Sequence, residues 1–227
     1  MVVYLKTGDG AVISAVYLPA KGARYTILYS HGNGEDIGKS MPFLRKMSGA
    51  GYSVFAYDYH GYGTCTGRSS EANAYRDIET AYDYLVSTLG VSPDRIIAYG
   101  RSLGGAVTIN LAARRELAGL VVESSFLSAL KVATRTNIFP LDRYRSADKI
   151  SRVRCPVLII HGRDDRVVPF KHGEELYRLA KAPKSHLWVD GVGHNDLIAV
   201  AGDLYWGALR GFIDKLPVPA KRAGKTP

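Results

Sequence analysis

Cysteine is nearly missing from this 227-residue chain, which has only Cys65 and Cys155. Two thiols so far apart exclude a disulfide framework and any cysteine-based zinc site. No apolar run approaches the 18 or so residues of a membrane span, which excludes an integral membrane helix. The opening MVVYLKTGDG has neither the basic stretch nor the long apolar one of a secretory signal. No H-E-x-x-H occurs, and the glycines around Ser102 lack G-x-G-x-x-G spacing. No metal or dinucleotide cofactor is therefore implied, and no nucleic-acid partner. These absences predict a soluble, cytoplasmic, globular protein.

What is present is a core-forming composition, 46% apolar and 22% charged, with a formal net charge of +9. A chain of this length should bury roughly 70% of its unfolded surface. Residues 1–216 are expected to form a single domain, and the proline- and base-rich 217–227 a disordered tail. The positive charge is concentrated in two stretches. Residues 131–154 hold seven bases and two acids, and residues 215–227 four bases and no acid. The rest of the chain is balanced.

Strand-like and helix-like segments alternate. Val2–Leu5 and Val12–Tyr17 read as a hairpin around Gly8-Asp9-Gly10. Six further apolar runs follow at Tyr25–Ser30, Ser53–Asp58, Ile96–Gly100, Leu120–Glu123, Val157–His161 and His186–Val189. Near-continuous apolar runs suit strands buried on both faces of a parallel sheet. Helices are expected near 39–49, 71–89, 103–115, 170–181 and 195–215; Ala74, Ile78, Ala81 and Leu85 recur at helical spacing. The pattern predicts an α/β fold, a mostly parallel doubly wound sheet with N-terminal antiparallel strands. Residues 124–155 break the rhythm and are expected to form a minimal lid.

Gly100-Arg101-Ser102-Leu103-Gly104-Gly105 lies between a strand and a helix, the context a G-x-S-x-G nucleophile elbow requires. A serine needs a neighbouring base. Among six histidines, His194 sits in a glycine-flanked loop just past the last strand, and it is the expected base. The acid that orients it is expected in Gly162-Arg163-Asp164-Asp165, after another strand. Asp165 is the first choice, Asp164 the second, and Glu123 a further alternative. The order Ser, Asp, His is that of α/β hydrolases. Oxyanion donors are expected at the Leu103 N–H and at the Asn33 N–H, with Gly34 as alternative to Asn33. His60 is a candidate pocket residue.

These stretches resemble the α/β-hydrolase superfamily. Within it, YSHGNGEDIG, FAYDYHGYG, GRSSEANAYRDIETAYDYL, VSPDRIIAYGRSLGG, CPVLIIHGRDDRVVPFKHGEELY and LWVDGVGHNDL are similar to the BEM46-like branch. That branch includes the α/β-hydrolase domain-containing 13 and 17 proteins and bacterial hydrolases of the serine aminopeptidase type. The resemblance spans nearly all of residues 25–213 and implies the α/β-hydrolase fold. It makes Ser102 the nucleophile, Asp165 the acid, His194 the base, and Asn33 and Leu103 the oxyanion donors. His60 replaces an Arg or Ser usual in relatives, and Thr64-Cys65-Thr66 a serine-containing turn. The cysteine-rich N-terminal anchor of the domain-17 proteins has no counterpart in this sequence.

The expected activity is hydrolysis of carboxylic esters or thioesters through an acyl-enzyme. The alternatives are an aminopeptidase or amidase, and a non-catalytic interaction protein on the same scaffold. A short lid predicts an open apolar pocket drawn from Phe126, Leu127, Leu130, Ile138, Phe139 and Leu141. The basic insert, expected beside the site mouth, favours an anionic or lipid-like small-molecule substrate, with weak contact to an anionic membrane.

Overall fold

Val2–Lys6 (β1) and Val12–Leu18 (β2) pair antiparallel, turning at Thr7–Gly10, where the Gly10 N–H donates to the Thr7 carbonyl at 2.9 Å. The computed structural model describes residues 1–129 and 143–218. After the hairpin come Thr26–Ser30 (β3), Ile37–Gly49 (α1), Ser53–Tyr57 (β4), Glu71–Asp83 (α2), Ile96–Arg101 (β5) and Leu103–Ala112 (α3). Then follow Gly119–Glu123 (β6), Ala147–Ile150 (α4), Val157–Gly162 (β7), Lys171–Leu179 (α5), Lys184–Val189 (β8) and Leu197–Asp214 (α6).

The eight strands form one sheet in the order β1-β2-β4-β3-β5-β6-β7-β8. β3 to β8 run parallel, β2 alone runs against them, and β1, antiparallel to β2, points the same way as the rest. Every residue of β3, β4 and β6 is buried, as strands covered on both faces require. On one face Ile78, Ala81 and Leu85 of the α2 segment pack with Val107 and Leu111 of α3 and Leu176 of α5. On the other, Leu44 and Met47 of α1 pack with Leu209, Phe212 and Ile213 of α6. Each fully buried aliphatic side chain contributes roughly 1.5–3 kcal/mol.

The structure departs from the expected elements in three places. The helix expected over 71–89 ends as α-helix at Asp83 and continues as a wider π-helical turn, Tyr84–Thr88. β8 starts two residues early, because Lys184, Ser185 and His186 are exposed on an edge strand and lack the apolar signal. α6 is kinked at Gly202, whose φ of +47° no β-branched residue would accept readily.

The chain reverses its winding at β3, which lies between β4 and β5, so the crevice expected at a topological switch point opens at their carboxyl ends. There α3 comes so close to β3 that a Cβ on Gly104 would lie 2.0 Å from the Ser30 carbonyl oxygen. Gly104→Ala should therefore destabilise the protein by about 3 kcal/mol, in the range for overpacking. Gly207→Ala, at a helical position with nothing within 4 Å of the added carbon, should stabilise it by about 0.5–1 kcal/mol. Urea midpoints of the two variants check this contrast.

Candidate active site

Ser102 connects β5 to α3 with φ +52° and ψ −115°, a conformation that costs a non-glycine residue about 1–3 kcal/mol. Two hydrogen bonds hold it. The Ser102 N–H donates to the Glu123 carbonyl, and the Ser125 hydroxyl donates to the Ser102 carbonyl, both at 2.8 Å. The turn also demands Gly100, where a Cβ would lie 2.2 Å from the Gly104 carbonyl oxygen. The serine side chain is thereby raised off the end of the sheet.

His194, in the loop after β8, brings Nε2 to 3.1 Å from Ser102 Oγ and Nδ1 to 2.7 Å from Asp165 Oδ2. A carboxylate only accepts, so Nδ1 carries the proton and Nε2 is left free to accept from the serine hydroxyl. Asp165 Oδ1 accepts the Val167 and Val168 N–H groups at 2.9 and 2.7 Å. Burial favours the neutral acid, but the hydrogen bonds from His161, His194 and Val168 outweigh it. They hold the Asp165 carboxyl well below the usual carboxylate range. His161 itself is structural, its Nε2 2.9 Å from the Val168 carbonyl oxygen.

Of the three carboxylates expected as candidates, Asp165 is the one that meets the His194 ring. Asp164 is exposed, and its N–H donates to the Val192 carbonyl at 3.0 Å. The Glu123 carboxylate turns toward Tyr99, Tyr205 and Arg101, away from the His194 ring.

Asn33 and Leu103 line the same cavity as Ser102, a space of about 390 Å³ that also meets His60, Phe126, Tyr144 and Val168. Leu103 is the first residue of α3, where an N–H has no partner within the helix. The Tyr62 hydroxyl donates to the Asn33 side-chain oxygen, and the Gly32 N–H is taken by Glu35 Oε2 at 3.1 Å. His60 borders the cavity as part of a buried pair. Its N–H donates to Asp77 Oδ2 at 3.0 Å, and its Nδ1 lies 2.5 Å from Asp77 Oδ1. Phe126 lines the cavity as expected, but Leu127 does not; it packs into the main core beneath α2 and α3. Leu130, Ile138, Phe139 and Leu141 lie outside the described residues. Ala129 and Arg143 both line the cavity, and the Arg143 carbonyl accepts the Ala129 N–H at 2.8 Å.

The basic insert needs a correction. Of its described bases only Arg143 borders this cavity. Arg145 pairs with Asp148 at 2.8 Å, and Lys149 Nζ reaches the Tyr75 hydroxyl at 2.6 Å. Arg152 and Arg154 line a separate recess with Cys155. The reason is topological. β6 and β7 are parallel, so their connection must run from the carboxyl end of the sheet to its amino end, spreading its charges along the way. Sequence reasoning also missed Arg101, Glu35 and Asp77. Their partners are distant in the chain, and no local spacing announces them.

A family model described as serine aminopeptidase, S33, matches residues 21–140. The Caenorhabditis elegans alpha/beta hydrolase domain-containing protein aho-3 is 42% identical over 202 residues, 86% of this chain and 59% of that protein. Human alpha/beta hydrolase domain-containing protein 17C is 43% identical over 182 residues, 78% of this chain and 55% of that protein. The chain belongs to the α/β hydrolases. This hydrolase spans a little over half the length of those two relatives. Its fold is shared with a Pyrococcus furiosus esterase, at a TM-score of 0.82 and 21% identity over 95% of this chain and 92% of that one. No helix among the described residues of this hydrolase is long and apolar enough to cross a membrane.

The Asp77 carboxyl gives the cavity wall a pH signature. Burial raises its pKa from 3.8 to about 6, against the lowering influence of His60. Between those values the folded hydrolase holds a proton that the unfolded chain has released, so this group adds stability as pH falls from about 6 to 4. The Asp77→Asn variant lacks that contribution. Its stability relative to wild type should be about 1–3 kcal/mol higher at pH 7 than at pH 4, as read from urea midpoints at both pH values.

Proposed function

We propose that this α/β hydrolase is a serine hydrolase that cleaves carboxylic ester or thioester bonds through an acyl-enzyme. The observation that carries the reading is the hydrogen-bonded line from Ser102 Oγ through the His194 ring to Asp165, at 3.1 and 2.7 Å, opening onto a cavity. Ser102 Oγ attacks the substrate carbonyl while His194 Nε2 takes its proton. Asp165 keeps the ring in the accepting tautomer and stabilises the imidazolium. The oxyanion is received by the N–H groups of Leu103 and Asn33, each donor contributing roughly 3–4 kcal/mol to the transition state. The tetrahedral intermediate collapses as His194 returns its proton to the departing alcohol or thiol. Water, deprotonated by the same ring, then releases the acid and regenerates the serine.

Leu103, Phe126 and Val168 supply an apolar wall for the acyl group, and Arg143 a cation at its edge. This combination suits a small substrate with an apolar acyl chain bearing an anionic group. The amidase alternative needs a free carboxylate for the substrate's amine. Two acids line the cavity: Asp77, which is paired with the buried His60, and Glu71, whose Oε1 accepts from the Tyr75 hydroxyl and the Tyr144 N–H at 2.8 Å.

A fluorophosphonate probe should label the wild type and not Ser102→Ala. His194→Ala should lower kcat at least about 1,000-fold. A well-folded wild type that takes no label would overturn the reading. In a panel of esters, thioesters and aminoacyl amides, Arg143→Glu should raise KM for anionic acyl substrates and leave neutral ones unchanged. Faster turnover of the amides than of the esters would favour the amidase alternative.

A further inference from the structure

Arg101, the residue before Ser102, extends its guanidinium away from the cavity, between two loops. Nη1 binds Glu35, in the loop after β3 that carries Asn33. Nη2 donates to the His194 carbonyl at 3.1 Å and to Asn195 Oδ1 at 2.7 Å. Nε faces Glu123 Oε1 at 3.4 Å, across the β5–β6 register in which Arg101 and Glu123 are partners. The remaining carboxylate oxygens are also occupied. Glu35 Oε2 accepts the Gly32 N–H at 3.1 Å, and Glu123 Oε2 accepts the Tyr205 hydroxyl at 2.9 Å. The arginine side chain is 15% exposed and that of Glu123 only 2%.

We propose that Arg101 is a positioning residue that ties the His194 loop and the Gly32–Glu35 loop to the nucleophile elbow, and so sets the base and an oxyanion donor relative to Ser102 Oγ. The inference rests on Ser102, His194 and Asn33 having the roles assigned above. Asp165 fixes the rotation of the His194 ring but not the height of its loop. That loop carries Gly191 at φ +69° and Gly193, positions whose backbone is the least restricted by a side chain. The loop is held at the Val192 carbonyl by the Asp164 N–H at 3.0 Å and at the Gly193 N–H by Asp196 Oδ1 at 2.8 Å, and the Arg101 contact adds a restraint on the His194 carbonyl itself.

A lysine could not replace this contact set. Its ammonium is a compact point charge, whereas the planar guanidinium addresses acceptors in several directions at once. The two carboxylates also reinforce the charge they hold. Burial disfavours the cation, but Glu123 and Glu35 outweigh it and raise the Arg101 pKa above the usual arginine value.

The test uses the full chain and its Arg101→Met, Arg101→Lys and Glu35→Gln variants. Short-chain nitrophenyl esters give kcat and KM, with rates normalised to the sites that a fluorophosphonate titrates. Amide hydrogen exchange is followed in residues 32–35 and 191–196. Arg101→Met should lower kcat about 100-fold, the scale expected for a displacement of reacting groups by roughly 1 Å. KM should change by less than about threefold, since the acyl wall is untouched. Exchange should accelerate in both loops and not in the β1–β2 turn. Arg101→Lys should fall between, and Glu35→Gln should affect the 32–35 loop more than the 191–196 loop. If Arg101→Met fails to fold, the lysine and Glu35 variants carry the same comparison.

Folded variants with wild-type kcat and unchanged exchange would overturn the inference and leave the hydrolase reading intact. A loss confined to thermal stability, with kcat per titrated site unchanged, would also overturn it. A wild type that neither hydrolyses nor labels would overturn the hydrolase reading, and the proposed positioning role with it. Exchange would then still report whether Arg101 tethers the loops.

Discussion

A serine held at φ +52° at the end of β5 is the constraint to which the rest of the site conforms. That backbone is affordable only because α3 starts at once and lies hard against the sheet. The packing in turn requires a hydrogen atom in place of a side chain at Gly100 and Gly104, where an added carbon would meet carbonyl oxygens at 2.2 and 2.0 Å. The same approach sets the first turn of α3, and with it the Leu103 N–H, beside the serine hydroxyl. Backbone strain and the placement of a donor are one feature here.

Around the serine, three carboxylates are buried for three different ends. Asp165 is saturated with donors and stays ionised beneath His194. Glu123 is saturated too, by two tyrosine hydroxyls and a guanidinium, and faces Arg101, its partner on the adjacent strand. Asp77 is met by His60 through its N–H and its ring, and burial leaves it easily protonated. Similar burial therefore gives opposite acid strengths. The number and polarity of the donors decide between them.

Much of this was legible in the chain. The alternation of apolar runs announced the parallel sheet, and Ser102, Asp165 and His194 each follow a strand in a loop with glycine or polar punctuation. The choice between Asp164 and Asp165 could not be read from spacing. It depends on which carboxylate the loop turns toward His194: Asp165 Oδ2 lies 2.7 Å from Nδ1, while Asp164 faces solvent. Arg101 and Glu35 escaped because they are 66 residues apart and neither has an unusual neighbour. The charge of the insert was counted correctly, and Arg143 does border the cavity, but Arg152 and Arg154 line a separate recess, while Lys131 and Arg135 lie outside the described residues. Composition does not reveal that a parallel connection must travel the height of the sheet.

The pinch between Ala129 and Arg143 separates two kinds of chain. Its backbone bond, with a second from the Ala147 N–H to the Leu127 carbonyl at 3.1 Å, closes the connection at its base. What lies beyond is an excursion whose ends are already joined. Doubling its length would add only about 0.6 kcal/mol of closure entropy. The chain between these two residues can therefore vary in length and composition while Ser102, His194 and Asp165 keep their places. In that sense the chain is modular: a fixed cluster of Ser102, His194 and Asp165 on the sheet end, and a connection whose closure does not depend on its length.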